Sequence, residues 1–390
     1  MNATVMPLWT KSFLLCLANN LFLFIFYFAQ TTILPIYILK ELGGSVTQAG
    51  LTLTLFMVSS IVIRPFSGLI IEKLGQRRTL IISATMFCLI AFGYLFISNM
   101  TSLYILRLMH GVWFSILTTV CVPVVNQFIP DSRRGEGMGY YAMSVNLGVV
   151  LGPFIGLGLI PYLSYTMVTA VLVAMIFIGY IFCFLIPVQE VKQPETEKTR
   201  LGLSDFVEKK SLTVALMVMM ISFAYASIMS FIAPYASSID LMQYAGLFFV
   251  VFAISMMSLR PITGKIYDRK GPQYVIYPAI LTFSLGLLVL SQIDTLTGFM
   301  LAAVLIGLGF GSAQPCLQTL AIQRAPKHRI GYATSTFYTC YDLGIAIGSL
   351  VVGIMITTQS FSFAFIICAA LTALSLLYFK FVVQHKTVIA

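Results

Sequence analysis

Long apolar runs, separated by short polar gaps, follow one another along the chain from residue 12 to residue 384. Each run holds 20 or more residues, and a helix of about 20 residues spans the hydrocarbon core of a bilayer. Lipid offers no partner to backbone N–H and C=O groups, and the runs do not alternate as barrel strands do, so each run predicts a helix. The twelve predicted segments are 12–39, 46–71, 79–98, 102–128, 138–160, 162–187, 211–238, 242–267, 273–292, 296–323, 329–356 and 359–384.

One long polar gap divides these segments into two sets of six. We therefore predict an N-terminal six-helix bundle over residues 1–187, a cytoplasmic linker over 188–210 and a C-terminal six-helix bundle over 211–390. Residues 201–210 fit a short helix on the membrane surface and a plain linker end equally well, because their apolar positions are irregularly spaced.

Basic residues are distributed unevenly between the two sets of loops. The loops on one side hold nearly all of them, and the loops on the opposite side hold only Lys40. Cytoplasmic loops of membrane proteins are enriched in Lys and Arg, so both termini are predicted to be cytoplasmic. The basic loop residues are Lys73, Arg77, Arg78, Arg133, Arg134, Lys192, Lys198, Arg200, Lys209, Lys210, Lys265, Arg269, Lys270, Arg324, Lys327 and Arg329.

A charged element at the end of the second segment recurs at the end of the eighth. Arg64-Pro65 returns as Arg260-Pro261, at an offset of 196 residues. This repeat predicts an all-α integral membrane fold of two pseudo-symmetric six-helix bundles, a transporter plan in which the substrate site lies between the halves. Other pairs at this offset are Gly68 and Gly264, Glu72 and Asp268, Gly75 and Gly271, Gly111 and Gly307, Gly148 and Gly344, and Gly152 and Gly348.

The composition agrees with a membrane protein. Apolar residues make up 59% of the chain and charged residues 9%, whereas soluble domains carry about 25% charged residues. The net charge of +10 does not indicate nucleic-acid binding, because the basic residues are spread over short loops and form no patch on a soluble fold. The seven cysteines fall in apolar runs without metal-ligand spacing, so we predict no disulfide, metal or cofactor.

Three motifs occupy the second, fourth and fifth segments. The stretch from Gly68 reads G-x-x-x-E-x-x-G-x-R-R, Arg107 and Gly111 form R-x-x-x-G, and G-x-x-x-G-P-x-x-G begins at Gly148. Together, at these segment numbers, they resemble the major facilitator superfamily, and within it the twelve-helix drug/proton antiporters. The resemblance covers nearly the whole chain. It departs from the family at Glu72, where Asp is usual, and at His110, where Gln is frequent; the fifth-helix motif implies an exporter.

The resemblance implies that the repeated loop element gates the transporter. Gly68 would let helix 2 approach helix 11, and Glu72 would accept hydrogen bonds from a neighbouring helix N-terminus in one conformation. The alternative is that the basic loop residues only fix topology. Arg64 and Arg260 are expected to extend to the cytoplasmic surface; the alternative, suggested by their repetition, is a structural pairing. The predicted gating residues are Gly68, Glu72, Gly75, Arg77, Arg78, Gly264, Asp268 and Gly271.

Proton coupling is assigned first to Asp342, the only carboxylate deep in any predicted segment. Desolvation opposes its charge, so the group should be protonated or paired; the alternative is a protonated Asp that only bonds a neighbouring helix. The resemblance places Arg107 near the coupling site. His110, one turn further, either titrates there or is a hydrogen-bonded packing residue. Many drug antiporters carry an acid on helix 1, and this chain has none there.

Two further sets of residues are predicted to shape the transport path. Gly148, Gly152 and Gly156, with Pro153 between them, lie on one helix face and should contact a helix of the second half closely; ordinary packing is the alternative. Polar and aromatic residues of segments 1, 7 and 10 are predicted to line the substrate cavity, namely Asn20, Tyr27, Gln30, Tyr225, Gln314 and Gln318.

These features predict a secondary active exporter of small organic solutes, a drug or a metabolite such as a metallophore, that exchanges them for protons by alternating access. We expect a monomer in the cell membrane with no catalytic residues. The alternatives are a proton-coupled nutrient importer and a non-transporting membrane sensor. An integral-membrane enzyme finds no support, since the chain has no hydrolytic triad, metal cluster or phosphate loop.

Overall fold

The computed structural model describes residues 7–190 and 206–384. Within these ranges it contains twelve helices long and apolar enough to cross a membrane, so the predicted fold class is confirmed. Helices 1 to 12 comprise Lys11–Lys40, Val46–Leu74, Gln76–Gly93, Met100–Asn126, Arg134–Leu159, Tyr165–Leu185, Lys209–Ser238, Ala245–Ser258 with Arg260–Lys270, Gln273–Leu290, Leu296–Arg324, Ile330–Thr358 and Phe361–Tyr378.

Polar caps fix where several helices begin. Ser45 Oγ accepts the backbone N–H of Gln48, and Gln48 Oε1 accepts the backbone N–H of Ser45, which forms a capping box. Such caps satisfy N–H groups that have no partner inside the helix, which matters most where the chain enters lipid. Side chains also cap helices 1, 4, 6, 10 and 12, through Thr10, Asn99, Ser164, Thr295 and Ser360.

The repeated element ends in a glycine turn in both halves. Gly75 has φ 82° and ψ 161° between helices 2 and 3, and Gly271 has φ 97° and ψ 167° between helices 8 and 9. Residues other than glycine almost never adopt this backbone region. The second copy also interrupts helix 8 at Leu259, just before Arg260-Pro261, where proline lacks the N–H that would continue the helix.

The described chain forms two compact units. One contains residues 7–131, 141–190, 206–207 and 327–335, and the other contains 132–140, 208–326 and 336–384. In the first unit helix 2 packs on helix 4, helix 1 on helix 6 and helix 3 on helix 4. In the second, helix 8 packs on helix 10, helix 7 on helix 12 and helix 9 on helix 10, so the pairs correspond.

The internal repeat extends to individual glycine contacts. A Cβ atom on Gly111 would lie 2.2 Å from the carbonyl oxygen of Phe56, and one on Gly307 would lie 2.5 Å from that of Phe252. Both members of each contact are shifted by the same 196 residues. Glycine therefore sets the close approach of helix 4 to helix 2 and of helix 10 to helix 8.

The glycine row of helix 5 packs differently from what we predicted. Cβ atoms on Gly148 and Gly152 would lie 2.5 Å from Phe24 Cβ and 2.8 Å from the carbonyl oxygen of Ile25. A Cβ on Gly156 would lie 2.8 Å from Ile33. The partner is thus helix 1 of the same half, and the expected contact with the second half was wrong. A smooth glycine face indicates close packing but does not identify the helix that fills it.

Some predictions concern residues outside the described ranges. They include most of the linker, residues 191–205, with the first half of the proposed surface helix, and the two chain ends. Residues 209 and 210, assigned to that surface helix or linker end, instead begin helix 7.

Candidate functional site

The first copy of the repeated element contacts the start of helix 11, as the family resemblance implied. A Cβ atom on Gly68 would lie 3.0 Å from Tyr332 Cα, so only glycine leaves room for that backbone. The Tyr332 hydroxyl donates a hydrogen bond to Glu72 Oε2. The guanidinium of Arg329 lies over the Tyr332 ring, 4.4 Å from its centroid. We call Gly68, Glu72 and Tyr332 the first helix-end contact.

The second copy contacts the start of helix 5. Asp268 accepts the backbone N–H of Gly135 at 2.6 Å and that of Glu136 at 2.9 Å. A Cβ atom on Gly264 would lie 2.6 Å from Glu136 Cα. A carboxylate at a helix N-terminus satisfies N–H groups and interacts favourably with the helix dipole. We call these four residues the second helix-end contact.

The basic residues of the predicted gating loop lie apart from these contacts. The side chains of Arg77 and Arg78 are exposed. Across residues 7–190 and 206–384, Glu72 forms no ion pair with either side chain. The hydrogen bond from the Tyr332 hydroxyl to Glu72 was not predicted, because no sequence motif marked Tyr332.

A second network near the loop was also missed from the sequence. The carboxylate of Glu190, just after helix 6, accepts the backbone N–H groups of Gln76 at 2.8 Å and Arg77 at 3.0 Å. It caps helix 3, which has no side-chain cap of its own in the first turn. Gln127, after helix 4, exchanges two hydrogen bonds with the backbone of Gln189. The start of the linker is thereby fixed to the loop.

Arg64 and Arg260 are both buried, with 4% and 3% of their surface exposed. The expectation that they extend to the cytoplasmic surface was wrong. Helices 2 and 8 continue to residues 74 and 270, about ten residues further, so neither arginine lies in the last turn of its helix. Arg64 Nη1 donates to Thr118 Oγ1 of helix 4 at 2.9 Å. The Arg260 guanidinium lies near the phenol of Tyr225 in the second unit.

Arg107 and His110 share a buried network around Tyr94. The Tyr94 hydroxyl lies 3.0 Å from His110 Nδ1, and Arg107 Nη1 lies 3.5 Å from the same oxygen. Arg107 Nε donates to the carbonyl oxygen of Thr52 at 3.2 Å. His110 Nε2 is buried and has no hydrogen-bond partner in the described structure. The ring is surrounded by aromatic side chains, which supports the packing alternative for His110.

Asp342 lies in the middle of helix 11 and is half-buried, less enclosed than we expected. Every other acidic residue of the described chain lies near a helix end or in a loop. One turn before Asp342, the Tyr338 hydroxyl accepts a hydrogen bond from Gln318 Nε2 of helix 10 at 2.9 Å. Gln314, also on helix 10, is half-buried.

The helix 1 residues predicted to line the cavity are engaged in packing. Asn20 Nδ2 donates to Ser144 Oγ at 2.9 Å, and Gln30 Nε2 donates to Thr169 Oγ1 at 3.3 Å. Tyr27 is buried, and its ring stacks on two phenylalanines. In helix 7, Tyr225 is likewise buried. Its ring stacks on that of Phe310, with centroids 3.8 Å apart.

Comparison with known protein families agrees with this arrangement of helices and motifs. The sequence profile described as Major Facilitator Superfamily matches residues 16–349. The chain belongs to the major facilitator superfamily. It is therefore a multi-pass membrane transporter that acts on a small-molecule substrate, and it is not an enzyme.

Relatives of this superfamily member include one protein named for export and one named for multidrug resistance. The staphylopine export protein of Staphylococcus aureus is 22% identical over 365 residues, covering 88% of this chain and 90% of the relative. The multidrug resistance protein MdtG of Salmonella arizonae is 22% identical over 360 residues, covering 88% of each chain. Among solved structures, the human organic anion transporter MFSD10 shares the fold with a TM-score of 0.80 at 16% identity, over 95% of this chain and 99% of that one.

Proposed function

We propose that this transporter exports a small organic solute in exchange for protons by alternating access. Relatives named for staphylopine export and for multidrug resistance support the outward direction and the organic nature of the solute. The observation that carries the coupling to protons is the position of Asp342, an acidic residue in the middle of a membrane-spanning helix.

Asp342 is proposed as the proton carrier. A carboxylate that moves from water into a closed, poorly hydrated environment favours its neutral form. Exposure to the outside would load the proton, and exposure to the cytoplasm would release it. Tyr338, one turn before Asp342, and its hydrogen-bond partner Gln318 of helix 10 are proposed to offer polar groups to a bound solute. Gln314 remains a proposed cavity residue, whereas the packing of Asn20, Tyr27, Gln30 and Tyr225 supports a structural role.

The two helix-end contacts are proposed to stabilise one conformation of the cycle. Each joins the carboxylate at one helix end to the first turn of another helix, and each must separate if that first turn moves. We place both termini and the linker at the cytoplasmic face of the cell membrane, and we expect the protein to act as a monomer made of two six-helix bundles.

Inside-out membrane vesicles test the proposal. An acid-inside proton gradient should drive accumulation of an exported solute, found by screening organic compounds against cells that express the protein. Asp342→Asn should abolish the gradient-driven part of the accumulation, while the solute should still exchange across the membrane. Asp294→Asn, in an exposed loop between helices 9 and 10, is the matched control. Unchanged gradient-driven accumulation in Asp342→Asn would rule out Asp342 as the carrier.

A further inference from the structure

The first unit contains a cavity of about 260 Å³ between helices 1, 2 and 4. Arg107 lies at its wall together with Thr52, and the remaining lining residues are Thr31, Leu34, Pro35, Ala49, Gly50 and Leu53. These residues lie near the end of helix 1 and near the starts of helices 2 and 4. With the termini at the cytoplasmic face, the cavity lies in the outer half of the membrane.

Arg107, one of the residues that line this cavity, carries a buried positive charge, and the contacts described for it are all with neutral groups. Arg107 is 1% exposed. Its contacts are the Thr52 carbonyl, the Tyr94 hydroxyl and the ring of Phe56, whose centroid lies 4.9 Å from Cζ. No acidic residue in ranges 7–190 and 206–384 pairs with it. A charge inside a membrane protein is costly unless it is paired or faces water, so a cavity beside such a charge favours an anion.

The other polar groups of the cavity wall do not compete for that anion. The hydroxyls of Thr31 and Thr52 donate to the backbone carbonyls of Tyr27 and Ala49. Their donors are therefore already used within their own helices. Arginine has five N–H donors in a planar fork that matches a carboxylate, and the two bonds described for Arg107 use only two of them.

From this geometry we propose that the cavity is a binding site for the carboxylate of an exported organic anion, with Arg107 as its receptor. The inference rests on the proposed export function and narrows its substrate class to small acids with an apolar body. Drug-sized ligands occupy pockets of roughly 300–1,000 Å³, so a cavity of about 260 Å³ suits a smaller molecule or one end of a larger one. Because the cavity lies in the outer half of the membrane, we place this site on the path by which the exported anion is released.

Binding of a charged and a neutral probe of the same shape tests this site directly. Phenylacetate and phenylacetamide differ in the carboxylate alone. We would titrate each into the purified protein in nanodiscs of zwitterionic lipid, with empty nanodiscs as the blank, and measure binding by calorimetry. Hydrogen bonds to a charged group predict that the wild-type protein prefers phenylacetate by at least about tenfold.

Three variants and one control identify the groups responsible. Arg107→Gln should remove the preference, and Arg107→Lys should keep part of it, because an ammonium group retains the charge without the fork. Gly50→Leu should fill the cavity and weaken phenylacetate binding, since a Cβ there meets no atom within 4 Å. Gly246→Leu, the same change at another glycine with open space, should bind as wild type.

Each result decides for or against the site. Equal binding of the two probes, an unchanged preference in Arg107→Gln, or full binding by Gly50→Leu would overturn it. If Arg107→Gln does not fold, Gly50→Leu alone decides. Because calorimetry needs no transport, an absence of proton-driven export combined with a preference for phenylacetate would reject the proposed function and keep the site. Export of neutral solutes only, with equal probe binding, would reject the site and keep the function.

Discussion

Replacing Asp268 by Asn changes the second helix-end contact without changing the size of the side chain. Both oxygens of the carboxylate accept backbone N–H groups, those of Gly135 and Glu136. An amide keeps one acceptor and turns an NH₂ group towards the other N–H. One hydrogen bond is therefore lost, two donors face each other, and the negative charge at the helix N-terminus disappears.

The expected cost follows from these two losses. A hydrogen bond to a charged group contributes about 1.5–3 kcal/mol, and a charge at a helix terminus contributes about 0.3–1 kcal/mol. Asp268 is half-buried, so solvent reduces both contributions. We expect a loss of about 2 kcal/mol, which corresponds to roughly a thirtyfold shift in the equilibrium between the bound and detached first turn.

Hydrogen–deuterium exchange measures this shift where it occurs. Helix 5 begins at Arg134, so the N–H groups of residues 135 and 136 have no partner within the helix and depend on Asp268 for protection. Within peptides covering 131–140, the N–H groups of residues 135 and 136 should exchange about thirty times faster in Asp268→Asn, as the preceding estimate requires. Asp294→Asn should leave them unchanged. Equal exchange in Asp268→Asn and wild type would refute the idea that the carboxylate holds the helix start.

Three other substitutions test the remaining contacts. Tyr332→Phe removes the donor to Glu72 and should speed exchange in residues 327–335, for a loss of about 1–3 kcal/mol; unchanged exchange would show that the hydroxyl contributes nothing. Gly152→Leu would drive a side chain into the backbone of helix 1 and should lower the melting temperature by several degrees, whereas Gly158→Leu, which faces open space, should not. Gly75→Ala should cost about 1–3 kcal/mol because φ is 82°, read as a lower melting temperature; an unchanged value would contradict it.

The features predictable from the sequence are those that hydropathy and repetition encode. Twelve apolar runs became twelve helices whose ends differ by a few residues from the predicted limits. The offset of 196 residues indicated more than the duplication of one half of the chain, because it also relates individual contacts. It links Gly68 and Gly264, whose missing side chains admit the backbones of Tyr332 and Glu136. Their partners, Tyr332 and Glu136, are separated by the same 196 residues. Either contact, once observed, therefore predicts the other.

The sequence did not predict which residues distant along the chain contact one another in the fold. The apolar residues on both sides of Arg64 did not indicate that its guanidinium would donate a hydrogen bond to the Thr118 hydroxyl. Glu190 stood in a polar gap that suggested a solvated linker, yet its carboxylate caps helix 3 more than a hundred residues earlier. Hydropathy describes how each residue meets water or lipid. It contains no information on which of several neighbouring helices supplies a hydrogen-bond donor.

The two helix-end contacts differ chemically because different residues occupy the matching partner position. Position 332 holds Tyr, whose hydroxyl donates to the longer side chain of Glu72. The equivalent position 136 holds Glu, which is acceptor-only when ionised and cannot donate to a second carboxylate. The Glu136 side chain instead pairs with Arg133 at 2.7 Å, and the backbone N–H groups are left for the shorter Asp268. The first contact therefore joins two side chains, and a double-mutant cycle can measure its coupling energy. The second joins a side chain to the main chain, so only the carboxylate can be varied, and only backbone exchange reports its strength.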